Sequence, residues 1–197
     1  PYLSIAIGSA EATLLEMTSA YSAFPNQGVR MTPMMVLEVI DREGDSLEQH
    51  RPEPHEALRA DTAYILTNLM RGVVEHGTAA SANALKWPLG RKTATTHDYT
   101  DAWFIGFDPD ITVGVWLGFD QRKPIGDQAT GTRAALPIWI NIMKSWVERR
   151  RAALPEPPDF PRPVNVVIVM TDTGRPEAYI VGTEPTGKEP GSAEVRR

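Results

Sequence analysis

A lysine and three threonines crowd the hexapeptide Arg91-Lys92-Thr93-Ala94-Thr95-Thr96, followed at once by His97-Asp98-Tyr99-Thr100-Asp101-Ala102-Trp103-Phe104. The segment opens a run of strand-like sequence. A cation and several hydroxyls therefore stand on a rigid edge, where they can hold an anionic substrate. Lysine contributes a point charge with three donors, and each threonine adds a hydroxyl donor. The residue types alone are also what an ordinary sheet edge uses, since threonine favours strands and lysine protects edges.

Other groups with chemical potential read more plainly. His97-Asp98 can be drawn as a dyad, but neighbours on a strand point to opposite faces, so a turn or a site-rim contact fits better. His76, near a helix end, suits backbone carbonyls better than a metal. Arg149-Arg150-Arg151 falls where a helix should end, and cations are favourable there. Trp103, Trp116, Trp139 and Trp146 are core candidates. The chain has no cysteine, which excludes disulfides, thiol catalysis and thiolate metal sites. No metal site and no cofactor is expected.

The elements that must position the lysine segment follow from periodicity. Thr13-Leu14-Leu15-Glu16 is a capping box, and Leu14, Met17, Tyr21 and Phe24 continue it at helical spacing until Pro25-Asn26-Gln27-Gly28. Met34 to Ile40 with the Asp41-to-Gly44 turn predicts a small hairpin. A second helix is expected from about Asp61 to Glu75, with Leu66, Leu69, Met70 and Val73 on its buried face and Gly77 as its cap. Strands are expected over 89–96, 102–107 and 111–118, the last two joined by Asp108-Pro109-Asp110. A Gly-rich loop, 126–131, precedes the strongest helical stripe: Ala135, Ile138, Trp139, Ile142 and Trp146. Pro137 fits only in the first turn of that helix. Val164 to Met170 is one more strand-like run, followed by an Asp172-Thr173-Gly174 turn and a polar tail.

The chain of 197 residues suggests one domain, or one domain with a tail. An apolar share of 42% allows a real core. The net charge of -5, without a long basic run, argues against nucleic acid as a partner. No apolar run approaches the ~20 residues of a membrane span. The start at Pro1-Tyr2-Leu3, without Met or a signal-peptide layout, suggests a piece of something longer.

The lysine segment is close to the Lys-Thr-Gly box of serine penicillin-recognising enzymes. The string through Phe104 resembles the class A penicillin-binding proteins in particular. So do Gly77-Thr78-Ala79 before it, the Ala135-to-Trp139 helix after it, and the upstream Thr-Leu-Leu-Glu-Met-Thr-Ser-Ala-Tyr helix. The resemblance covers about residues 3–150, with a weaker echo around Asp172-Thr173-Gly174. It implies an α+β fold: an antiparallel sheet of at least three strands with helices packed on it, the long helix covering one face. It makes residues 1–152 the C-terminal portion of a transpeptidase domain, while the prolines mark a linker (153–163) and the apolar run a strand-like extension with a polar tail (164–197).

The resemblance also implies chemistry. Family members acylate a serine with a stem peptide ending in D-Ala-D-Ala and pass the acyl group to an amine of a neighbouring strand. β-Lactams trap that serine. No metal takes part. The partners implied are peptidoglycan stem peptides, β-lactams and the rest of the transpeptidase domain upstream, with a glycosyltransferase domain before it. The place implied is the extracytoplasmic face of the bacterial membrane, reached through an upstream anchor. Lys92 would keep the field positive and help proton movement. Thr93 and Thr95 would offer hydroxyls to the substrate's terminal carboxylate, and the backbone N–H of Thr95 would be half of the oxyanion hole. Ala94 and Thr96 complete the binding segment.

The chain departs from the pattern in three ways. No Ser-x-x-Lys occurs, so the nucleophile box is missing from this chain. Ala94 stands where the family has Gly, and Thr132 where a second Gly follows Gly131. Ser81-Ala82-Asn83 imitates the Ser-x-Asn box but lies too near the lysine segment to be it. Two other readings stand beside the transpeptidase: a non-catalytic binding or scaffolding module with a degenerate site, or a D,D-carboxypeptidase or serine β-lactamase relative. The Asp101-to-Phe104 and Ala135-to-Trp139 strings favour class A over the relatives.

Overall fold

The computed structural model describes residues 3, 10–76, 80–95, 98–172 and 174–185. The predicted capping box opens α1 (Leu14–Ser22): the Thr13 hydroxyl accepts from the Glu16 N–H at 3.2 Å, and the Glu16 carboxylate accepts from the Thr13 N–H at 2.8 Å. The chain then turns at Gly28, whose φ of +87° and 2.1 Å approach to the Leu58 carbonyl, measured from a hypothetical Cβ, leave no room for another residue. Four short strands follow: β1 (Val29–Met31), β2 (Glu38–Ile40), β3 (Ser46–Gln49) and β4 (Pro54–Glu56). β2 and β3 form the expected hairpin, while β4 returns antiparallel to β1.

Next come α2 (Ala60–His76) and the single turn α3 (Ala80–Asn83). The expected cap Gly77 and the Gly77-Thr78-Ala79 string lie outside the described residues. The sheet that matters is built from β5 (Gly90–Thr95), β6 (Asp101–Phe107) and β7 (Thr112–Gly118), antiparallel in that order. A π-helical turn, Gly131–Ala135, leads into α4 (Leu136–Ala153). A last antiparallel pair, β8 (Val166–Met170) and β9 (Pro176–Ile180), closes the described chain. The class is α+β, as the resemblance implied.

Strand alternation sends Phe104 and its cross-strand partner Val115 to one face, toward α4. There Trp139 meets Phe104 with ring centroids 5.0 Å apart. Gly106 makes this seat possible, because a Cβ on it would lie 2.5 Å from the Trp139 ring. The Trp139 indole N–H points at the Val113 carbonyl, 3.2 Å away. The buried line of α4 is Leu136, Trp139, Met143 and Val147. The expected stripe is therefore corrected: Ile138 and Ile142 are 43% and 44% exposed. The Trp139 seat fixes the helix rotation, which turns both isoleucines outward.

The opposite face is covered too, by α1. Ile105 and Gly114 pair there, and a Cβ on Gly114 would reach within 2.1 Å of the Thr18 hydroxyl of α1. Beside α1, Tyr64 of α2 joins Phe107, Phe160, Val166 and Ala178 in a second apolar cluster. Phe107 and Phe160 meet edge to face at 5.9 Å. Phe160 thus anchors the proline-rich stretch to the sheet. Leu69, expected on the buried face of α2, is 58% exposed, whereas Ala63, Tyr64 and Thr67 are buried. The side of α2 that meets β5 and β9 decides this.

The β6–β7 turn is tied by one buried carboxylate. Asp108 accepts from the Trp87 indole at 2.9 Å, the Trp146 indole at 2.7 Å, and the N–H groups of Asp110 and Ile111 at 2.8 and 2.7 Å. Trp116 is not a core residue: it is 36% exposed, with its indole donating to Asp101. Arg150 pairs with Asp110, and Arg151 donates to the Leu85 and Lys86 carbonyls. The arginine cluster at the end of α4 therefore clamps loops as well as ending a helix.

Candidate active-site strand

Among the described residues, β5 pairs with β6 alone, so one edge of the lysine strand carries no partner strand. Half of an edge strand's backbone donors and acceptors point away from its neighbour, which is a template for an extended peptide. The register sets Lys92 opposite Ile105, Thr93 opposite Phe104, Ala94 opposite Trp103 and Thr95 opposite Ala102. Lys92 and Ala94 consequently share the face of Ile105, while Thr93 shares the α4 face. A ligand must lie along the edge, rather than on either face, to meet both Lys92 and Thr93.

Lys92 is exposed, and its ammonium donates to the Thr93 carbonyl at 2.5 Å. The charge is thereby drawn back onto the strand's own main chain. Ala94 is exposed, so its methyl does not pack behind the strand. Thr95 is the last residue of β5, and its backbone N–H belongs to the strand. Thr96 and His97 lie outside the described residues, so the His97-Asp98 pair is not tested there. The side chains of His76 and Ser81 lie outside the described ones as well.

The strand has a structured rim. Tyr99 takes a left-handed φ of +52°, and its carbonyl accepts from the Ile125 N–H at 2.9 Å. The Gly-rich loop then returns over the sheet at Gly131, where a Cβ would stand 2.3 Å from the Trp103 carbonyl oxygen and 2.9 Å from that of Ala94. Thr130 caps the turn that follows, its hydroxyl accepting from the Arg133 N–H at 3.3 Å. Thr132, the third departure, is half-buried in that turn.

One charged neighbour was not singled out from the sequence. Arg91 is fully buried, with its guanidinium 5.8 Å from the centre of the Phe104 ring, and burial pulls its pKa below the usual arginine value. Strand alternation carried the signal: with Lys92 outward, its neighbour must face α4. No helix among the described residues is long and apolar enough to cross a membrane.

Comparison with known proteins matches residues 1–144 to the penicillin binding protein transpeptidase domain. Penicillin-binding protein 1A of Aquifex aeolicus is 38% identical over 195 residues, covering 94% of this chain and 26% of the relative. The protein of the same name from Neisseria gonorrhoeae is 38% identical over 148 residues, covering 72% of this chain and 18% of the relative. The chain thus spans about a quarter or less of the length of these relatives. Among solved structures, penicillin-binding protein 1A from Haemophilus influenzae superposes with a TM-score of 0.83 at 23% identity, over 94% of this chain and 34% of that one. PonA1 from Mycobacterium tuberculosis gives 0.68 at 21% identity, over 96% and 48%. At those identities the two structures speak for the fold.

Proposed function

Because this chain belongs to the penicillin-binding protein transpeptidase family, we propose that it is the C-terminal part of a serine D,D-transpeptidase. The whole protein cross-links stem peptides ending in D-Ala-D-Ala and is acylated by β-lactams. The observation that carries this reading is the Lys92-Thr93-Ala94-Thr95 segment on a strand edge without a partner strand among the described residues, inside a region that matches the family from residue 1 to 144.

The chemistry follows from the residue types. A substrate peptide lies along the β5 edge as an added strand. The Lys92 ammonium keeps the field positive and helps proton movement, and the Thr93 and Thr95 hydroxyls donate to the substrate's terminal carboxylate. The Thr95 backbone N–H stabilises the oxyanion; removing one such donor typically costs ~100–1,000-fold in rate. The second oxyanion donor and the attacking serine come from sequence before Pro1. So, in this reading, do a glycosyltransferase domain and the anchor that holds the protein at the extracytoplasmic face of the membrane. This chain alone supplies no covalent route.

A second reading has one observation behind it. Ala94 is exposed on the substrate-facing strand where the family carries Gly, so its methyl can obstruct a closely approaching ligand. The protein would then be a non-catalytic binding module. Labelling of the full-length protein with a fluorescent penicillin separates the two: the transpeptidase takes the label and the degenerate module does not.

A further inference from the structure

A cleft of about 530 Å³ lies between α2 and the C-terminal pair β8–β9, and none of its lining residues belongs to the lysine strand. Its size falls within the ~300–1,000 Å³ of small-ligand sites. Arg71, Arg162 and Arg175 bring three cations to it, although the chain as a whole carries -5. Of the two carboxylates on the lining, only Asp159 is paired with a cation among the described residues, and the three arginines outnumber both by one. Asp159 accepts from Arg71 at 3.1 Å and from the Phe160 N–H at 2.8 Å, and Glu177 accepts from the Tyr179 hydroxyl at 2.8 Å. The Arg175 guanidinium forms no salt bridge with any described carboxylate. Arg71 is held in place a second time by the Phe160 ring, 5.5 Å from its guanidinium carbon.

The same cleft has an apolar wall. Leu69 is more than half exposed there, and Ile168 and Pro176 line the opposite side. Asn68 adds an amide that can both donate to and accept from a peptide group. Guanidinium groups beside apolar surface and an amide fit an extended acidic peptide better than an inorganic anion, which would leave the apolar wall wet. A flat anionic membrane does not fit a recess in an acidic chain.

We propose that this cleft binds a short carboxylate-bearing peptide, its acidic groups on Arg162 and Arg175 and an apolar side chain against Leu69 and Ile168. The proposal stands apart from the role given to Lys92. The test is fluorescence anisotropy with the full-length protein and a fluorescein-labelled Glu-Leu-Glu-Leu peptide. Its amide counterpart, Gln-Leu-Gln-Leu with an amidated C-terminus, is the control. Saturable binding is expected for the acidic peptide, at least about tenfold tighter than for the amide peptide. Exposed Arg175→Glu, and separately Arg162→Glu, should each weaken it at least about tenfold, while Arg149→Glu on the far end of α4 leaves it unchanged. Equal binding of both peptides, parent-like binding by Arg175→Glu, no saturable binding, or binding only to vesicles containing an anionic phospholipid would each overturn the proposal.

Discussion

Gly131 and Ala94 meet through bare main chain: a Cβ on Gly131 would stand 2.9 Å from the Ala94 carbonyl oxygen, and still closer to that of Trp103. The turn that opens α4 is thus seated on the pair of strands that carries the proposed site. Gly131→Ala must push that turn off the sheet. The expected loss is about 1–3 kcal/mol, the usual range for overpacking a filled site. Urea unfolding of the full-length protein reads it, together with a slower penicillin acylation. Parent-like values of both would mean that the approach is relieved without consequence.

Ala94→Gly should affect the site more than the fold. The methyl is exposed, so its removal opens no cavity. Glycine within a strand costs roughly 0.5–1 kcal/mol through entropy. Acylation should become faster while the melting temperature stays equal or falls slightly. A slower rate would show that the site has adapted to Ala94, and an unchanged rate would remove the support for a degenerate module.

Asp108→Ala tests the buried staple. It leaves the indole donors of Trp87 and Trp146 and two backbone N–H groups without their acceptor. Bonds to a charged group contribute about 1.5–3 kcal/mol each, so a loss of at least about 3 kcal/mol is expected in urea unfolding followed by tryptophan fluorescence. A loss below about 1 kcal/mol would contradict the assignment.

Asp61 predicts an acid-sensitive joint. Hydrogen bonding from Arg59, with further donors in Asn165 and Thr62, lowers its pKa from 3.8 to about 2 despite burial. Its folded value is depressed, so its stabilising contribution is fully present above the ordinary carboxylate value. That contribution is lost as pH falls toward about 2. Asn165 donates to Asp61 at 2.8 Å, which ties the start of β8 to the start of α2. Asp61→Asn should therefore flatten the acid limb of a stability-versus-pH curve. An unchanged acid limb would place the sensitivity in other carboxylates.

Local signals in the sequence were strong where one residue's chemistry sufficed. The Thr13–Glu16 box, the Asp108 turn and the place of Pro137 in the first turn of α4 were legible because caps and turns are decided within four residues. Helix rotation was not, because tertiary seats set it. Gly106 admits Trp139 and so exposes Ile138 and Ile142, and no periodicity reveals which glycine across the sheet receives which ring. Trp87 drew no notice because its role rests on Asp108, 21 residues away. The lysine strand stood out through the family resemblance of its surroundings rather than residue types alone, and its edge, without a partner strand among the described residues, fits that reading. The register with β6 puts Lys92 and Thr93 on opposite faces, and the return of the Lys92 ammonium to the Thr93 carbonyl is a local contact no sequence pattern announces.

Covalent labelling by a fluorescent penicillin, with and without Lys92, tests the central claim most directly. The full-length protein should be acylated on a serine upstream of Pro1. Lys92→Ala should slow that second-order rate at least about tenfold, a loss of roughly 1.4 kcal/mol in transition-state stabilisation. The 197-residue chain by itself should carry no label through a denaturing gel, since it holds no Ser-x-x-Lys. A labelled band from this chain alone, an unlabelled full-length protein, or a Lys92→Ala variant that labels as fast as the parent would contradict the account.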